Sequence, residues 1–309
     1  MYKPASTVFM VRPIHFRYNE ITAADNAFQQ ETDLTHSTIQ SKAEQEFDAF
    51  VKTLRDHGVD VRVFQDSSTK DTPDSIFPNN WISTHMNETI ILYPMFAENR
   101  RDEVNMNFVE QLKNDFGFTN VIDLTDYADK NQFLESTGSL VLDRVNKIAY
   151  CSVSERTNVE LAEKWSVHTE YELVLFHAVD EDQIPIYHTN VLMAIGEHFA
   201  VICLDAISDL DERVDVISML DETEKEIIEI TFEQMNHFAG NMIELANQEG
   251  ESLLVMSQAA YDSLDQQQRS KISAHSTIVT APIPTIEKHG GGSVRCMIAE
   301  VFPATTSRV

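Results

Sequence analysis

Short apolar runs of β type recur along the whole chain and set the first limit on its fold. They include "TVFMVRP", "VDVRVF", "TIILYPM", "NVIDL", "SLVLD", "KIAYCSV", "ELVLFHAV", "VLMAIG", "FAVICL", "SLLVMS" and "SVRCMIAEVF". Runs of this length, bounded by turn residues and separated in places by helical periodicity, predict strands of an α/β protein. The clearest helix is "SKAEQEFDAFVKTLRDHG", where Phe47, Phe50, Val51 and Leu54 form an apolar stripe and Gly58 supplies a stop. Similar patterns predict helices in "RDEVNMNFVEQLKNDFG", "TNVELAEKWSVH" and "AAYDSLDQQQRSKI", and the strands are expected to outweigh the helices in total. No Gly/Ser-rich linker or abrupt change of composition divides residues 1–309, so one domain is expected. There is no dinucleotide fingerprint and no P-loop.

Charge removes several classes of partner. Fifty acidic against 23 basic residues give a formal charge of -27, which repels phosphate backbones and anionic lipid, so neither nucleic acid nor a membrane is an expected partner. The densest acidic stretch, "DLDERVDVISMLDETEKEIIEI", reads as a solvated face. No apolar stretch approaches the ~18 residues of a membrane span, and the first residues lack a secretory pattern, so a cytoplasmic protein is expected. Three widely spaced cysteines make no disulfide framework, and no CxxC or HExxH pattern suggests a metal. Cys151 and Cys203 lie inside apolar runs and read as core.

Four segments put polar residues where the surrounding pattern predicts core. In "TPDSIFPNNWIS", Asp74, Asn79 and Asn80 alternate with Ile76, Phe77 and Trp81; the plainer reading is a turn whose asparagines satisfy their own backbone. Glu135, in "FLESTGSLVLD", stands at the mouth of a strand, where a surface turn acid is equally in keeping with the pattern. His188, Thr189 and Asn190 are wedged between apolar runs in "IPIYHTNVLMAIG", and a hydrogen-bonded core histidine is the plainer alternative. Cys296 follows three glycines in "KHGGGSVRCMIAEVF", where it is either a thiol exposed at a turn or the first residue of a buried strand. Together these segments supply Cys, His, Glu and amides, the set needed for thiol nucleophilic catalysis with a positioned acid/base.

At these residues the chain resembles the guanidino-group-modifying (pentein) superfamily of arginine deiminases, dimethylarginine hydrolases and amidinotransferases. The segments "PDSIFPNN", "ESTGS", "YHTN" and "GGGSVRC" follow in that superfamily's order, and with "NEITAADNAFQ" and "TGSLVLDR" they look most like its citrulline-utilisation hydrolases. The resemblance implies a five-bladed α/β propeller of pseudo-symmetric ββαβ units, although no five-fold repeat is visible in the sequence. It implies Cys296 as nucleophile, His188 as acid/base, and Glu135 orienting either the substrate nitrogens or the histidine.

Asn80 and Asn190 fall where arginine deiminases carry aspartates that clamp a guanidinium. Amides match a neutral ureido group better, since buried carboxylates facing it would be uncompensated. The expected activity is therefore hydrolysis of the ureido C–N bond of citrulline to ornithine, ammonia and carbon dioxide, with no cofactor. An amidinotransferase or an arginine deiminase-type enzyme is the alternative from the same site. The expected partner is a small ureido or guanidino amino acid. Asp74 is a candidate for its amine, and Arg17, Arg100 and Arg144 are each open as carboxylate ligands. Relatives are often homodimers; the sequence leaves the oligomeric state open.

Overall fold

A computed structural model describes residues 3–24, 26, 28–66 and 69–303. Asp25 and Ala27, in the middle of "NEITAADNAFQ", lie outside the described residues.

Five three-stranded sheets make up the fold. β1 (Thr7–Arg12) runs parallel to β2 (Asp60–Gln65) across the helix His36–Asp56. β3 (Ile82–His85), β4 (Thr89–Leu92) and β5 (Asn120–Asp123) form the second sheet. β6 (Val141–Asp143), β7 (Ile148–Ser152) and β8 (Glu172–Phe176) form the third. β9 (Met193–Ile195), β10 (Phe199–Ile202) and β11 (Glu226–Glu229) form the fourth. β12 (Ile243–Ala246), β13 (Ser252–Ser257) and β14 (Thr277–Ala281) form the fifth. β15 (Ala299–Val301) then returns to pair antiparallel with β1 and completes the first sheet.

Every sheet repeats one topology. A first strand is antiparallel to the middle one, and the middle strand is parallel to a third reached through a helical crossover. A parallel pair needs such a crossover, because a tight turn cannot bring the chain back in the same direction. This is the five-bladed α/β propeller of ββαβ units. The first strands lie innermost: β3 contacts β15, and β9 contacts both β6 and β12. The segments entering those inner strands therefore converge on the centre.

The first crossover helix is amphipathic as expected but begins earlier than its periodicity suggested. The Thr35 hydroxyl accepts from Thr38 N, and Ile39 and Ala43 extend the buried stripe. Each large apolar side chain on that stripe contributes roughly 1.5–3 kcal/mol on leaving water. Two expected helices are interrupted: Asp102–Asn105 separate Glu98–Arg101 from Met106–Phe116, and Leu264–Asp265 separate Gln258–Ser263 from Gln266–His275. Asn105 and Asp265 cap the second piece in each case, so a local side-chain acceptor wins over continuous helix. The acidic stretch contains the helix Leu210–Glu222, capped by Asp209 and showing its acids to solvent. With that helix included, helical residues outnumber strand residues among those described, which corrects the expected balance. None of the described helices is long and apolar enough to cross a membrane.

Candidate active site

The five inward segments each deliver polar side chains ahead of an inner strand: Asn79–Asn80 before β3, Glu135 and Ser139 before β6, His188 and Asn190 before β9, Asn241 before β12, and Cys296 before β15. A cavity is lined by Asp74, Asn80, Arg100, Arg156, His188 and Cys296, among others. Gly290, Gly291 and Gly292 form one wall, where Gly291 takes φ +62 and an added Cβ would come within 2.6 Å of Asn26 Nδ2.

Cys296 is not in a strand. It sits in the turn after the glycines, its N–H donating to Ser293 O at 3.0 Å, three residues ahead of β15. Its side chain is buried at the cavity wall, where Asn241 Nδ2 approaches the sulfur at 3.3 Å and Asn190 Nδ2 at 3.6 Å. Cys151 and Cys203 are fully buried, and burial pushes the Cys203 thiol up to about 11 and Cys151 higher still. All three cysteines are free.

His188 Nε2 lies 2.7 Å from Glu135 Oε2. Arg156 Nη1 reaches the same oxygen at 3.4 Å, and Phe96 N donates to Glu135 Oε1 at 2.9 Å. Burial alone raises a carboxyl, but the charge of Arg156 and the bond from His188 outweigh it and hold Glu135 well below the usual carboxylate range. Burial lowers the pKa of His188 despite the neighbouring carboxylate, which favours the neutral imidazole. With Nε2–H donated to Glu135, Nδ1 carries the free lone pair. His188 and Arg156 share Oε2 and Phe96 N–H takes Oε1, so the histidine is one partner of this carboxylate. Ser136, the residue after it, is held at φ +43, a strained conformation for a residue with a side chain.

Arg100 braces the opposite wall. Its Nε and Nη2 fork onto Glu103 at 2.9 Å each, and Nη1 donates to Asn80 Oδ1 at 2.9 Å. Burial opposes its charge, but the Glu103 carboxylate keeps its pKa above the usual value. Because arginine has no acceptor, this bond fixes the Asn80 amide: Oδ1 must face Arg100, leaving Nδ2 buried and without a protein partner. A Cβ built on Gly138 would lie 2.6 Å from Asn80 Nδ2 and 2.9 Å from His188 Nδ1, so a side chain at this position would clash with both groups. Asp74 accepts from Asn19 Nδ2 at 2.7 Å through Oδ2, while its Oδ1 has no partner; burial raises its pKa. Asn190 does not share the wall of Asn80 but stands behind the sulfur, with Oδ1 unpartnered.

Of the arginines open for a carboxylate, Arg100 lines the cavity. Arg17 is forked onto Asp71 at 2.6 Å, and Arg144 onto Glu300 at 3.0 Å. Arg156, which lines the cavity and lies 4.7 Å over the Tyr187 ring, was missed, because nothing in "SERTNVE" marks a buried charge. Asn241 was missed too. Among the described residues no group of three or more His, Cys, Asp or Glu side chains is placed to hold a metal ion.

The fold is that of the guanidino-group-modifying pentein superfamily. The N-terminal domain of ArgZ, described as an arginine dihydrolase from the ornithine-ammonia cycle in Cyanobacteria, superposes with TM-score 0.74 at 18% identity, covering 96% of this chain and 98% of that one. AgrE in complex with L-arginine gives TM-score 0.74 at 16% identity over 98% of this chain, which spans only 41% of AgrE. A dimethylarginine dimethylaminohydrolase adduct gives TM-score 0.65 at 18% identity over 97% of this chain and all of that one. No curated protein sequence gives a significant match. The family described as "N,N dimethylarginine dimethylhydrolase, eukaryotic" matches residues 12–303. The chain belongs to this family of guanidino-group hydrolases.

Proposed function

We propose that this protein is a cysteine hydrolase of a ureido amino acid, citrulline, and that it releases ornithine, ammonia and carbon dioxide. The observation that carries the reading is the orientation of Asn80. Asn80 lines the cavity and its buried Nδ2 has no acceptor, so a guanidinium, which has only donors, would set N–H against N–H there. A ureido oxygen satisfies that donor, and satisfies it better once it becomes an oxyanion.

In this reading Cys296 loses its proton to the neutral His188 and attacks the ureido carbon, and the carbonyl electrons move onto oxygen beside Asn80 Nδ2. Collapse of the tetrahedral adduct breaks one C–N bond, with His188 returning the proton to the leaving amine. Water activated by the same imidazole then cleaves the thiocarbamate, freeing the thiol, and the carbamate formed loses carbon dioxide. Glu135 holds the histidine in the tautomer that leaves Nδ1 basic. Asp74, with its unpartnered Oδ1, suits the substrate's α-amine, and Arg100 and Arg156 supply positive charge for its carboxylate.

The test is incubation of the purified protein with citrulline, arginine and N,N-dimethylarginine in parallel, following ornithine, citrulline and ammonia. Citrulline should give ornithine and ammonia in equal amounts and at the highest rate. Conversion of either guanidino substrate to citrulline at an equal or greater rate sinks the reading, as does transfer of an amidino group to an added amine.

A further inference from the structure

We infer that Asn241 is a catalytic residue that, together with Asn190, holds the Cys296 sulfur as a thiolate. The inference deepens the proposed function and rests on Cys296 being the nucleophile.

Three observations converge. First, the Asn241 amide is fixed by its neighbours. Oδ1 accepts from Arg295 N–H at 3.1 Å, so Nδ2 faces the other way, donating to Asn190 O at 2.9 Å and reaching Cys296 Sγ at 3.3 Å. Second, the contacts favour the anion over the thiol. A neutral thiol would donate to Asn241 Oδ1 across 3.7 Å, sharing that oxygen with Arg295 N–H, whereas a thiolate accepts from two amides at 3.3 and 3.6 Å. Third, the fold is built to bring Asn241 there. Gly240 packs so closely on the turn after His188 that a Cβ would come 2.2 Å from Val191 O, so only glycine lets this blade press Asn241 against the Asn190 turn.

Hydrogen bonds to a charged acceptor are stronger than those to a neutral one, so amide donors bind the anionic sulfur more tightly than the thiol. The sulfur gains its negative charge when its proton leaves for His188, and the two amides offset that charge without contributing a charge of their own. A carboxylate at either position would repel the same anion.

The experiment is alkylation of the full chain by iodoacetamide without substrate, with modification of the Cys296 peptide read by mass spectrometry at about pH 6.5 and about pH 9.5. Asn241→Asp keeps the acceptor for Arg295 N–H and replaces the donor by an anion. It should slow alkylation about tenfold or more at the lower pH and much less at the higher. Asn241→Ala should show the same pattern more weakly, and circular dichroism reports whether either variant is folded. Equal slowing at both pH values would make Asn241 a structural residue and overturn the inference, as would unchanged rates in the Asp variant. If Cys296 of the unaltered protein reacts no faster at the lower pH than Cys151 or Cys203, the nucleophile itself is misassigned; that outcome differs from any pattern confined to Asn241.

Discussion

On the His188 side of the cavity every functional group is charged or braced by a charge, whereas on the Cys296 side the sulfur is met by the neutral amides of Asn190 and Asn241. Glu135, Arg156, Arg100 and Glu103 are all buried and interlocked, so each pair offsets a desolvation cost that neither member could bear alone. The amides carry no charge to desolvate, only the smaller cost of buried polar groups. The charged side therefore couples chemistry to stability, and the amide side leaves them separable. At Asn80 the oxygen is claimed by Arg100, and the nitrogen is left without a protein acceptor.

Four substitutions can break or sharpen this contrast. The largest effect is expected from Cys296→Ser, which should reduce ornithine release from citrulline by about a thousandfold or more. Its melting temperature should stay near that of the unaltered protein, since the amide side carries little of the stability. Turnover above a tenth of the original rate would remove Cys296 from the mechanism.

Asn80→Asp comes next. Arg100 keeps an acceptor, so unfolding by urea should change little, but the unpartnered Nδ2 donor is replaced by a carboxylate oxygen. The kcat/KM for citrulline should fall about a hundredfold, the scale seen when an oxyanion donor is lost, and the arginine-to-citrulline rate ratio should rise. A fall equal for both substrates would break the link between amide and ureido group.

Glu135→Gln tests the charged side, where activity and stability should drop together. It leaves Arg156 without its carboxylate charge and should cost about 3 kcal/mol in urea unfolding at neutral pH. The folded carboxyl titrates below its ordinary value, so its contribution is fully present above that value and is lost as pH falls toward the folded one. Variant and parent should therefore converge in stability on acidification; a constant gap would contradict the ionic account.

The smallest effect is expected at Glu287, which accepts from Ser293 Oγ at 2.7 Å beneath the glycine wall. Burial pushes its carboxyl up to about 7 from an ordinary 4.5. The folded state then holds the proton more tightly than the unfolded one, so this group's contribution weakens as pH rises through that interval. Glu287→Gln should flatten the pH dependence of the melting temperature there without altering the alkylation rate of Cys296. An unchanged slope would show that the carboxyl titrates normally.

Much of this organisation is written in the chain, though faintly. With the five blades known, the entries "NNWI", "GSLV", "TNVL", "GNMI" and "RCMI" line up as a small or polar residue leading into the apolar start of an inner strand. That signal would have found Asn241 beside Cys296. It is hard to see beforehand because so few positions per blade recur, while the crossovers vary from the unbroken His36–Asp56 to the interrupted Gln258–His275. Glu135 and His188 could be singled out because polar residues interrupt apolar runs at both places. Arg156 could not, since its burial depends on Glu135 and Tyr187, contributed by other segments of the chain.

What the sequence by itself determined is the local grammar: which runs become strands, where Gly58 and Gly117 stop helices, and which short segments carry sulfur, imidazole, carboxylate and amide. These follow from periodicity and backbone preference, which act over a few residues. Only the tertiary structure decided that Glu135 meets the histidine, that Arg100 claims the Asn80 oxygen, and that Asn190 and Asn241 meet at one sulfur. Hydrogen bonds and ion pairs are settled by distances of a few ångströms between groups that the chain keeps 20 positions apart, as with Arg100 and Asn80, or more than 50, as with His188 and Glu135 or Cys296 and Asn241, and no local pattern records them.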